Sequence, residues 1–251
     1  GVTGIAYETV TSSDGSMPLL APMSTIAGQL AFVVGSYHLL KHNKGKGVMI
    51  GHMDDMDPRV VTVIGAGVAG TQSILKAIDN KALVKVVDSS QSKLDDLKSK
   101  YGTENVEYIL SSKDSIQVSV NESDLVIGSV YVVGKEAPKV VTKDMLSSMN
   151  PGTVMVDVSI DQGGCFETSK PTTHDSPTFL ENDIVHYCVT NMPGAVPLTA
   201  TEALNKVSLS YVENLANNGI QNALDSDEHL RNGLNILDGR IVHPGVKEAL
   251  E

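Results

Sequence analysis

A glycine-rich segment placed directly after an apolar run constrains the fold of this chain more than any other feature. The apolar run covers residues 60–64, and residues 65–70 then read Gly-Ala-Gly-Val-Ala-Gly. In a strand–loop–helix unit the first glycine allows a tight turn, the second lets the backbone approach a pyrophosphate, and the third lets the helix pack closely on the strand. Such turns also occur without a ligand. The pattern predicts a phosphate loop at the helix N-terminus, formed by Gly65, Gly67, Val68 and Gly70.

An acidic residue follows where a dinucleotide-binding domain needs one. Asp88 ends a second, mainly apolar run, residues 83–87, and lies 18 positions after Gly70. A carboxylate at this point accepts hydrogen bonds from the adenosine ribose hydroxyls and repels the extra phosphate of NADP. The spacing therefore favours NAD as the cofactor. The alternative is that Asp88 only caps the turn that contains Ser89 and Ser90.

Apolar runs alternate with segments of helical periodicity from residue 60 onward. This alternation predicts an α/β fold, a Rossmann-type doubly wound parallel sheet with right-handed crossovers. The predicted strands are 60–64, 83–88, 106–110, 124–130, 153–158 and 184–190, and the predicted helices are 68–80, 92–101 and 143–149.

The flanking segments predict further elements. Residues 1–7 read as a buried strand. Apolar residues recur at helical spacing from Met23 to Leu40 nearly all round the helix, which predicts that it is buried against a partner element or a subunit. Thr199 and Glu202 have the spacing of a capping box, and the helix after them is expected to end at residues 217–219. A strand at a terminus without an initiating Met indicates a piece of a longer protein.

Charge and composition exclude several classes of protein. The 30 acidic residues outnumber the 19 basic ones, for a formal net charge of −11, so neither a nucleic acid nor an anionic membrane is expected as a partner. No apolar run is long enough to span a bilayer, and no secretory leader is recognised. Cys165 and Cys188 lack metal-ligand spacing, so we expect no metal site and two packed free thiols. These features predict a cytoplasmic protein with a small-molecule site.

Ligands of doubly wound sheets bind beyond the carboxyl ends of the strands, and the later strand ends carry candidate residues. Asp161 lies past one of them, before Gly163 and Gly164. This setting suits a chemically active carboxylate and, equally, a carboxylate that only caps the glycine turn. Gly128 ends another predicted strand, where a small residue would let the cofactor pass. Asp157 is interpreted as structural.

Two histidines lie where a functional group is conceivable, and their settings favour structural roles. His174 is a candidate acid or base, but a hydrogen-bonding role within its loop is the favoured interpretation. His186 falls inside a predicted strand, so we expect it to be a core residue with satisfied hydrogen bonds.

Seven segments, taken in order along the chain, resemble a known family. They are residues 4–10, 18–24, 65–70, 124–128, 158–167, 171–175 and 191–197. The specific pieces are Ile-Asp-Gln-Gly-Gly at 160–164 and Asn-Met-Pro at 191–193, since the glycine loop is common to many enzymes. Together these segments resemble the alanine dehydrogenase family, which is related to the NAD-binding subunit of the nicotinamide nucleotide transhydrogenases.

The resemblance implies roles for individual residues. Asp161 matches the family's catalytic aspartate beside the nicotinamide, and the family uses NAD. Lys170 matches a position near the cofactor where relatives commonly carry Arg. The further residues that the resemblance places in contact with NAD are Ser24, Asp88, Lys93, Ser111, Val130, Tyr131, Val158, Ser159, Ile160, Asp161, Val189, Thr190, Asn191 and Met192.

The same resemblance implies an activity and a domain organisation. The activity is the reversible NAD-dependent oxidative deamination of L-alanine to pyruvate and ammonium. The alternatives are an NAD(H)-binding subunit of a transhydrogenase-like complex and a regulatory NAD sensor. Residues 20–197 are expected to form the NAD-binding domain, and residues 1–19 with 198–251 to form the remaining parts of a discontinuous α/β catalytic domain. Family members begin with a longer N-terminal part, which carries substrate-binding residues, and they form homo-oligomers, often hexamers.

Overall fold

The computed structural model describes residues 1–132 and 136–250, without the side chains of residues 249 and 250. The chain divides into two compact units. One is Gly1–Ser24 together with Val196–Glu251, and the other is Thr25–Ala195. The helices of the chain are α1 (Ala21–His38), α2 (Val68–Asp79), α3 (Gln91–Tyr101), α4 (Lys113–Glu122), α5 (Pro197–Ser226), α6 (Glu228–Asn232) and α7 (Pro244–Leu250).

The larger unit is built on one seven-stranded sheet. In chain order its strands are β2 (Val60–Ile64), β3 (Leu83–Asp88), β4 (Val106–Leu110), β5 (Leu125–Gly128), β6 (Val154–Asp157), β7 (Thr178–Glu181) and β8 (Ile184–Tyr187). The order across the sheet is β4-β3-β2-β5-β6-β8-β7, and every pair is parallel except β7 with β8. The predicted doubly wound parallel sheet is therefore confirmed.

Several element predictions in this unit are corrected. The strands predicted at 124–130 and 184–190 are β5 and β8, which end at Gly128 and Tyr187 because the chain leaves the sheet there to form loops. The predicted helix 143–149 is a 3-10 helix, Lys143–Ser148. Neither α4 nor the antiparallel edge strand β7 was predicted. Helix α4 begins with a capping box. The Ser112 side chain accepts a hydrogen bond from the Ser115 N–H, and the Ser115 side chain accepts one from the Ser112 N–H.

Both faces of the sheet are buried under apolar residues, as expected for parallel strands. Helix α1 packs closely on α2, since a Cβ added to Gly28 would lie 2.0 Å from the carbonyl oxygen of Ala69. The Ser73 hydroxyl also donates a 2.7 Å hydrogen bond to the Gly28 carbonyl. This packing confirms the predicted burial of the helix on one side. Val33 and Tyr37 are 53% and 54% exposed, so burial of that side against a second subunit stays a prediction.

The smaller unit holds α5, α6, α7 and a three-stranded antiparallel sheet of β1 (Gly4–Ile5), β9 (Leu234–Leu237) and β10 (Arg240–Ile241), in the order β1-β9-β10. The predicted buried strand 1–7 is wrong, because β1 has only two residues and both are partly exposed. The predicted capping box is also wrong, since α5 begins at Pro197 and no side chain caps it. The predicted helix end coincides with a break at Gly219, where φ is 72° before the helix resumes.

Candidate functional site

The phosphate loop has three glycines in three different environments. Gly65 has φ of 96°, and a Cβ added there would lie 2.5 Å from the carbonyl oxygen of Ser129. A Cβ on Gly70 would lie 1.8 Å from the carbonyl oxygen of Gly65, so only glycine allows this approach of helix to strand. Gly67 is the N-cap of α2, no side chain caps the helix, and a Cβ there would meet nothing within 4 Å. The loop is therefore most open to solvent at Gly67 and at the half-exposed Val68 that follows.

Asp88 connects the phosphate loop to the next turn. Its side chain is buried at the end of β3, where one carboxylate oxygen accepts a 2.7 Å bond from the Ala66 N–H and the other a 2.8 Å bond from the Ser90 N–H. Asp88 thus does cap the turn at Ser90. A carboxylate has about four lone-pair sites, so these two bonds leave acceptor capacity for a ribose.

The segment after β5 packs against the phosphate loop. The Ser129 hydroxyl donates a 2.7 Å hydrogen bond to the carbonyl of Gly65, and Val130 and Tyr131 follow with partly exposed side chains. The idea that Gly128 lets a cofactor pass is wrong. A Cβ on Gly128 would lie 2.3 Å from the Cys165 sulfur, so this glycine makes room for buried protein atoms.

A buried carboxylate closes the loop that follows β6. Asp157 is fully buried, and it accepts hydrogen bonds from the N–H of Ser159 at 3.0 Å, the N–H of Cys165 at 2.8 Å and the hydroxyl of Ser169 at 2.5 Å. Burial raises the pKa of Asp157, and the hydrogen bonds from Ser169 and Cys165 oppose that shift. The structural interpretation of Asp157 is confirmed, because its carboxylate binds the N–H of Ser159 near the start of the loop and the N–H of Cys165 at its end.

Asp161 lies on this loop and faces the end of a neighbouring strand. It belongs to the short 3-10 helix Ile160–Gln162, and its two carboxylate oxygens lie 3.3 and 3.4 Å from the N–H of Asn191, which follows β8. The N–H groups of Gly163 and Gly164 bond instead to the carbonyls of Ile160 and Ser159. Asp161 therefore does not cap the glycine turn, and its exposed carboxylate is free to face a ligand.

The two candidate histidines and the two cysteines have structural roles. His186 is fully buried between the Thr168 hydroxyl at 2.8 Å and the Ile184 carbonyl at 3.1 Å, and burial lowers its pKa, as expected for a core residue. His174 is exposed and lies 3.3 Å from the carbonyl of Asn191, which fits the loop interpretation. Burial raises the pKa of Cys165 well above its ordinary value and that of Cys188 to about 12, so both are neutral thiols.

Most predicted cofactor-contacting residues follow the carboxyl ends of parallel strands, at one edge of the sheet. Asp88 ends β3 and Lys93 follows it, Ser111 follows β4, and Val130 and Tyr131 follow β5. The residues after β6 are Val158, Ser159, Ile160 and Asp161, and those after β8 are Val189, Thr190, Asn191 and Met192.

Two predicted residues are placed differently. The exposed ammonium of Lys170 lies 3.6 Å from the Glu181 carboxylate and 5.4 Å from the centre of the Phe179 ring. Ser24 lies on α1 and belongs to the smaller unit. Among the described residues no group of three or more His, Cys, Asp or Glu side chains could hold a metal ion. In the same part of the chain, no helix is both long enough and apolar enough to cross a membrane.

Comparison with known proteins places this geometry among enzymes. Residues 31–244 match the family described as alanine dehydrogenase/PNT, C-terminal domain. A Halomonas elongata protein named alanine dehydrogenase is 48% identical over 99% of this chain and 67% of its own length. A Mycolicibacterium smegmatis protein of the same name is 46% identical over 100% of this chain and 67% of its own length.

A solved structure titled L-alanine dehydrogenase superposes with a TM-score of 0.94 at 44% identity, over 100% of this chain and 69% of its own length. A transhydrogenase structure from Sinorhizobium meliloti has a TM-score of 0.79 at 21% identity over 96% of this chain and 69% of its own, which supports the fold alone.

Proposed function

This chain belongs to the alanine dehydrogenase/PNT family, and from that premise we propose that it carries out NAD-dependent oxidative deamination of L-alanine to pyruvate and ammonium. The relatives at 46–48% identity are named alanine dehydrogenase, and they support this reaction over the transhydrogenase alternative, which rests on fold similarity. The observation that carries the proposal is one of geometry. The open N-terminus of α2 at Gly67 and the exposed Asp161 carboxylate both follow carboxyl ends of parallel strands at the same edge of the sheet.

The residues at this edge fit a nicotinamide dinucleotide. Gly67 leaves room for a pyrophosphate beside the uncapped N–H groups of α2, where the helix dipole favours negative charge. Asp88 has acceptor capacity left for the ribose hydroxyls, and its charge disfavours the extra phosphate of NADP. Val130 and Tyr131 offer partly exposed apolar surface near the loop. When bound, NAD supplies the hydride acceptor of the reaction.

Asp161 is the proposed catalytic residue. Its carboxylate is exposed, and the Asn191 N–H fixes its orientation by lying within 3.4 Å of both oxygens. A carboxylate held in this way can orient water or ammonia by accepting a hydrogen bond, and it can accept a proton during deamination at the substrate carbon. The loop that carries it is held by Asp157, so the carboxylate is placed before substrate binds, as catalysis by orientation requires.

The wider proposals follow the family resemblance. Residues 20–197 would form the NAD-binding domain, with residues 1–19 and 198–251 belonging to the catalytic domain. The protein would be a cytoplasmic homo-oligomer, often a hexamer in this family. Light scattering of the purified protein would test the subunit number, and a monomer at micromolar concentration would contradict the oligomer.

The decisive experiment measures alanine-dependent reduction of NAD by the product of the complete coding sequence. Asp161→Asn should lower kcat by at least about a hundredfold, within the range for a lost general acid–base group, while the dissociation constant of NADH changes less than about threefold. Asp175→Asn, an exposed carboxylate in the loop of His174, is the matched control and should leave kcat unchanged. Near-normal turnover in Asp161→Asn would remove this residue from the mechanism. If the unaltered protein oxidises NADH only with a partner protein and never with pyruvate and ammonium, the transhydrogenase alternative is favoured.

A further inference from the structure

A cavity lies beside the edge strand β7. Its volume is about 220 Å³. One side is formed by the end of α1 and the 3-10 helix Lys41–Asn43, and the other by β7 and β8. Its lining residues, none of which belongs to the proposed NAD site, are His38, His42, Asn43, Lys44, Thr178, Phe179, Leu180 and Val185.

The lining combines positive or polar donors with an apolar wall. His38, His42 and Lys44 supply N–H donors, and no Asp or Glu lines the cavity. This is unusual for a chain with a formal net charge of −11, in which carboxylates outnumber cationic side chains by 30 to 19. One ammonium group, that of Lys44, with further N–H donors and no carboxylate beside it attracts anions.

His38 is the buried group of this cavity. It is only 8% exposed, and its ring packs against Tyr37 and Tyr187 at centroid distances of 5.2 and 5.6 Å. Its Nδ1 atom is buried and has no hydrogen-bond partner in the described part of the chain. A neutral imidazole carries its proton on only one nitrogen, and an Nδ1 without an acceptor leaves the proton on Nε2. Nε2 is therefore the donor that His38 can offer to a ligand.

We propose that this cavity binds a small organic acid. The carboxylate of the ligand accepts hydrogen bonds from His38, His42 and Lys44. Its apolar part lies against Phe179, Leu180 and Val185. This apolar wall distinguishes an organic acid from an inorganic anion, which gains nothing from apolar contact. The site does not depend on the reaction at the carboxyl edge of the sheet.

Binding should be linked to proton uptake. Burial lowers the pKa of His38, so the ring is neutral in the free cavity near pH 7, whereas a carboxylate beside it favours the charged form. The rings of Tyr37 on the same helix and Tyr187 on β8 pack against His38. The polar residues that line the cavity with it are His42, Asn43, Lys44 and Thr178. None of them is an acid that would already pair with the ring. The affinity should therefore rise as the pH falls from 8 towards 6.

The test is a titration of the 251-residue chain with isobutyrate, followed by the Cε1–H resonances of its histidines. We expect saturable shifts of His38 and His42 with a dissociation constant on the order of 1 mM. Lys44→Ala should weaken binding about threefold to fivefold, as for removal of one exposed ionic contact. Lys41→Ala is the matched control, because this exposed lysine is three residues away and does not line the cavity. It should change the affinity by less than about twofold.

Two further measurements test the role of His38 and the independence of this cavity from the cofactor site. His38→Gln should reduce the pH dependence of binding, whereas Lys44→Ala should retain it. Saturating NADH should not displace isobutyrate. The proposal is overturned if no saturation is seen by about 50 mM, if inorganic phosphate binds as well as isobutyrate, or if Lys41→Ala weakens binding as much as Lys44→Ala. Displacement by NADH would equally overturn it, because the ligand would then occupy the cofactor site.

Discussion

Two buried carboxylates organise the edge of the sheet through backbone N–H groups. Asp88 accepts from Ala66 in the phosphate loop and from Ser90 in the next turn. Asp157 accepts from residues at both ends of the loop that carries Asp161. Hydrogen bonds to an ionised acceptor are about twice as strong as neutral ones. Each carboxylate therefore fixes a loop as well as a side chain, so its substitution affects both.

At Asp88, the ribose and loop roles can be separated by comparing two cofactors. Asp88→Ala should weaken NADH binding at least about tenfold, because hydrogen bonds to a charged group contribute about 1.5–3 kcal/mol each. It should weaken NADPH binding much less, since repulsion of the extra phosphate is lost at the same time. Fluorescence titrations with both cofactors measure this ratio. Asp96→Ala, an exposed carboxylate on α3, is the control. Equal weakening of both cofactors would leave Asp88 with the loop role alone.

A substitution of Asp157 tests whether this residue positions Asp161. The amide resonance of Asn191 reports on that position, because its N–H lies beside the Asp161 carboxylate. Asp157→Asn should lower the free energy of unfolding by about 1–3 kcal/mol and move the Asn191 amide resonance, because the loop loses its anchor. Asp124→Asn is the matched control, since Asp124 is also buried, pairs with Lys46 at 2.9 Å and precedes β5 at the opposite edge of the sheet. It should lose comparable stability without moving the Asn191 resonance. An unshifted Asn191 in Asp157→Asn would show that Asp161 is positioned independently of Asp157.

Residue roles at this edge were predictable only where local spacing determines them. The three glycines of the phosphate loop act on their immediate neighbours, and their pattern is visible in the sequence. Two of the donors that hold Asp157, and the atoms that crowd Gly128, come from residues 165–169, which the fold brings close. No pattern in a single sequence specifies these contacts. The two interpretations of Asp161 stayed open for the same reason, since the choice depends on Asn191, 30 positions away.

Among the helices and strands, some were predictable from the sequence and others were not. The central strands were predictable because burial on both faces requires continuous apolar runs. Helix α4 was missed because its sequence, Lys-Asp-Ser-Ile-Gln-Val-Ser-Val-Asn-Glu, is polar, with only Ile116, Ser119 and Val120 buried. Strand β7 was missed because an antiparallel edge strand of four residues carries no long apolar run. Elements defined by their tertiary partners rather than by their own periodicity escape this kind of prediction.

The strand–loop–helix unit from β2 to α2 offers a matched pair of glycine substitutions. Gly67→Ala should leave the free energy of unfolding within about 1 kcal/mol, because φ is −74° and nothing lies within 4 Å of the new Cβ. It should weaken NADH binding at least about tenfold, because the methyl group occupies the space proposed for the pyrophosphate.

Gly70→Ala should instead lower the free energy of unfolding by about 2–4 kcal/mol, because its Cβ would lie 1.8 Å from the Gly65 carbonyl oxygen. Urea unfolding and NADH titration measure the two effects. Tight NADH binding by Gly67→Ala would place the pyrophosphate elsewhere.

At the scale of the whole molecule, the proposed cofactor contacts are concentrated in one of the two compact units. All of them except Ser24 fall within residues 25–195, the unit built on the seven-stranded sheet. The proposed catalytic Asp161 is in this unit as well. The chain as a whole covers 67% of the length of its relatives at 46–48% identity. Cofactor binding is thus the part of the proposed function that this chain can test directly, separately from turnover.

NADH should therefore raise the thermal stability of the 251-residue chain itself. A ligand that binds only the native state at a hundred times its dissociation constant adds about 2.7 kcal/mol to the free energy of unfolding. For a protein of this size each 1 kcal/mol shifts Tm by about 2–4 °C, so we expect an increase of about 5–10 °C. Calorimetry measures the shift, and hydrogen exchange should locate the added protection at residues 65–70 and after β3. Gly67→Ala is the control, because it should keep the Tm of the free chain and lose the increase at the same NADH concentration. If both forms gain equally, the stabilisation does not come from a dinucleotide on the phosphate loop.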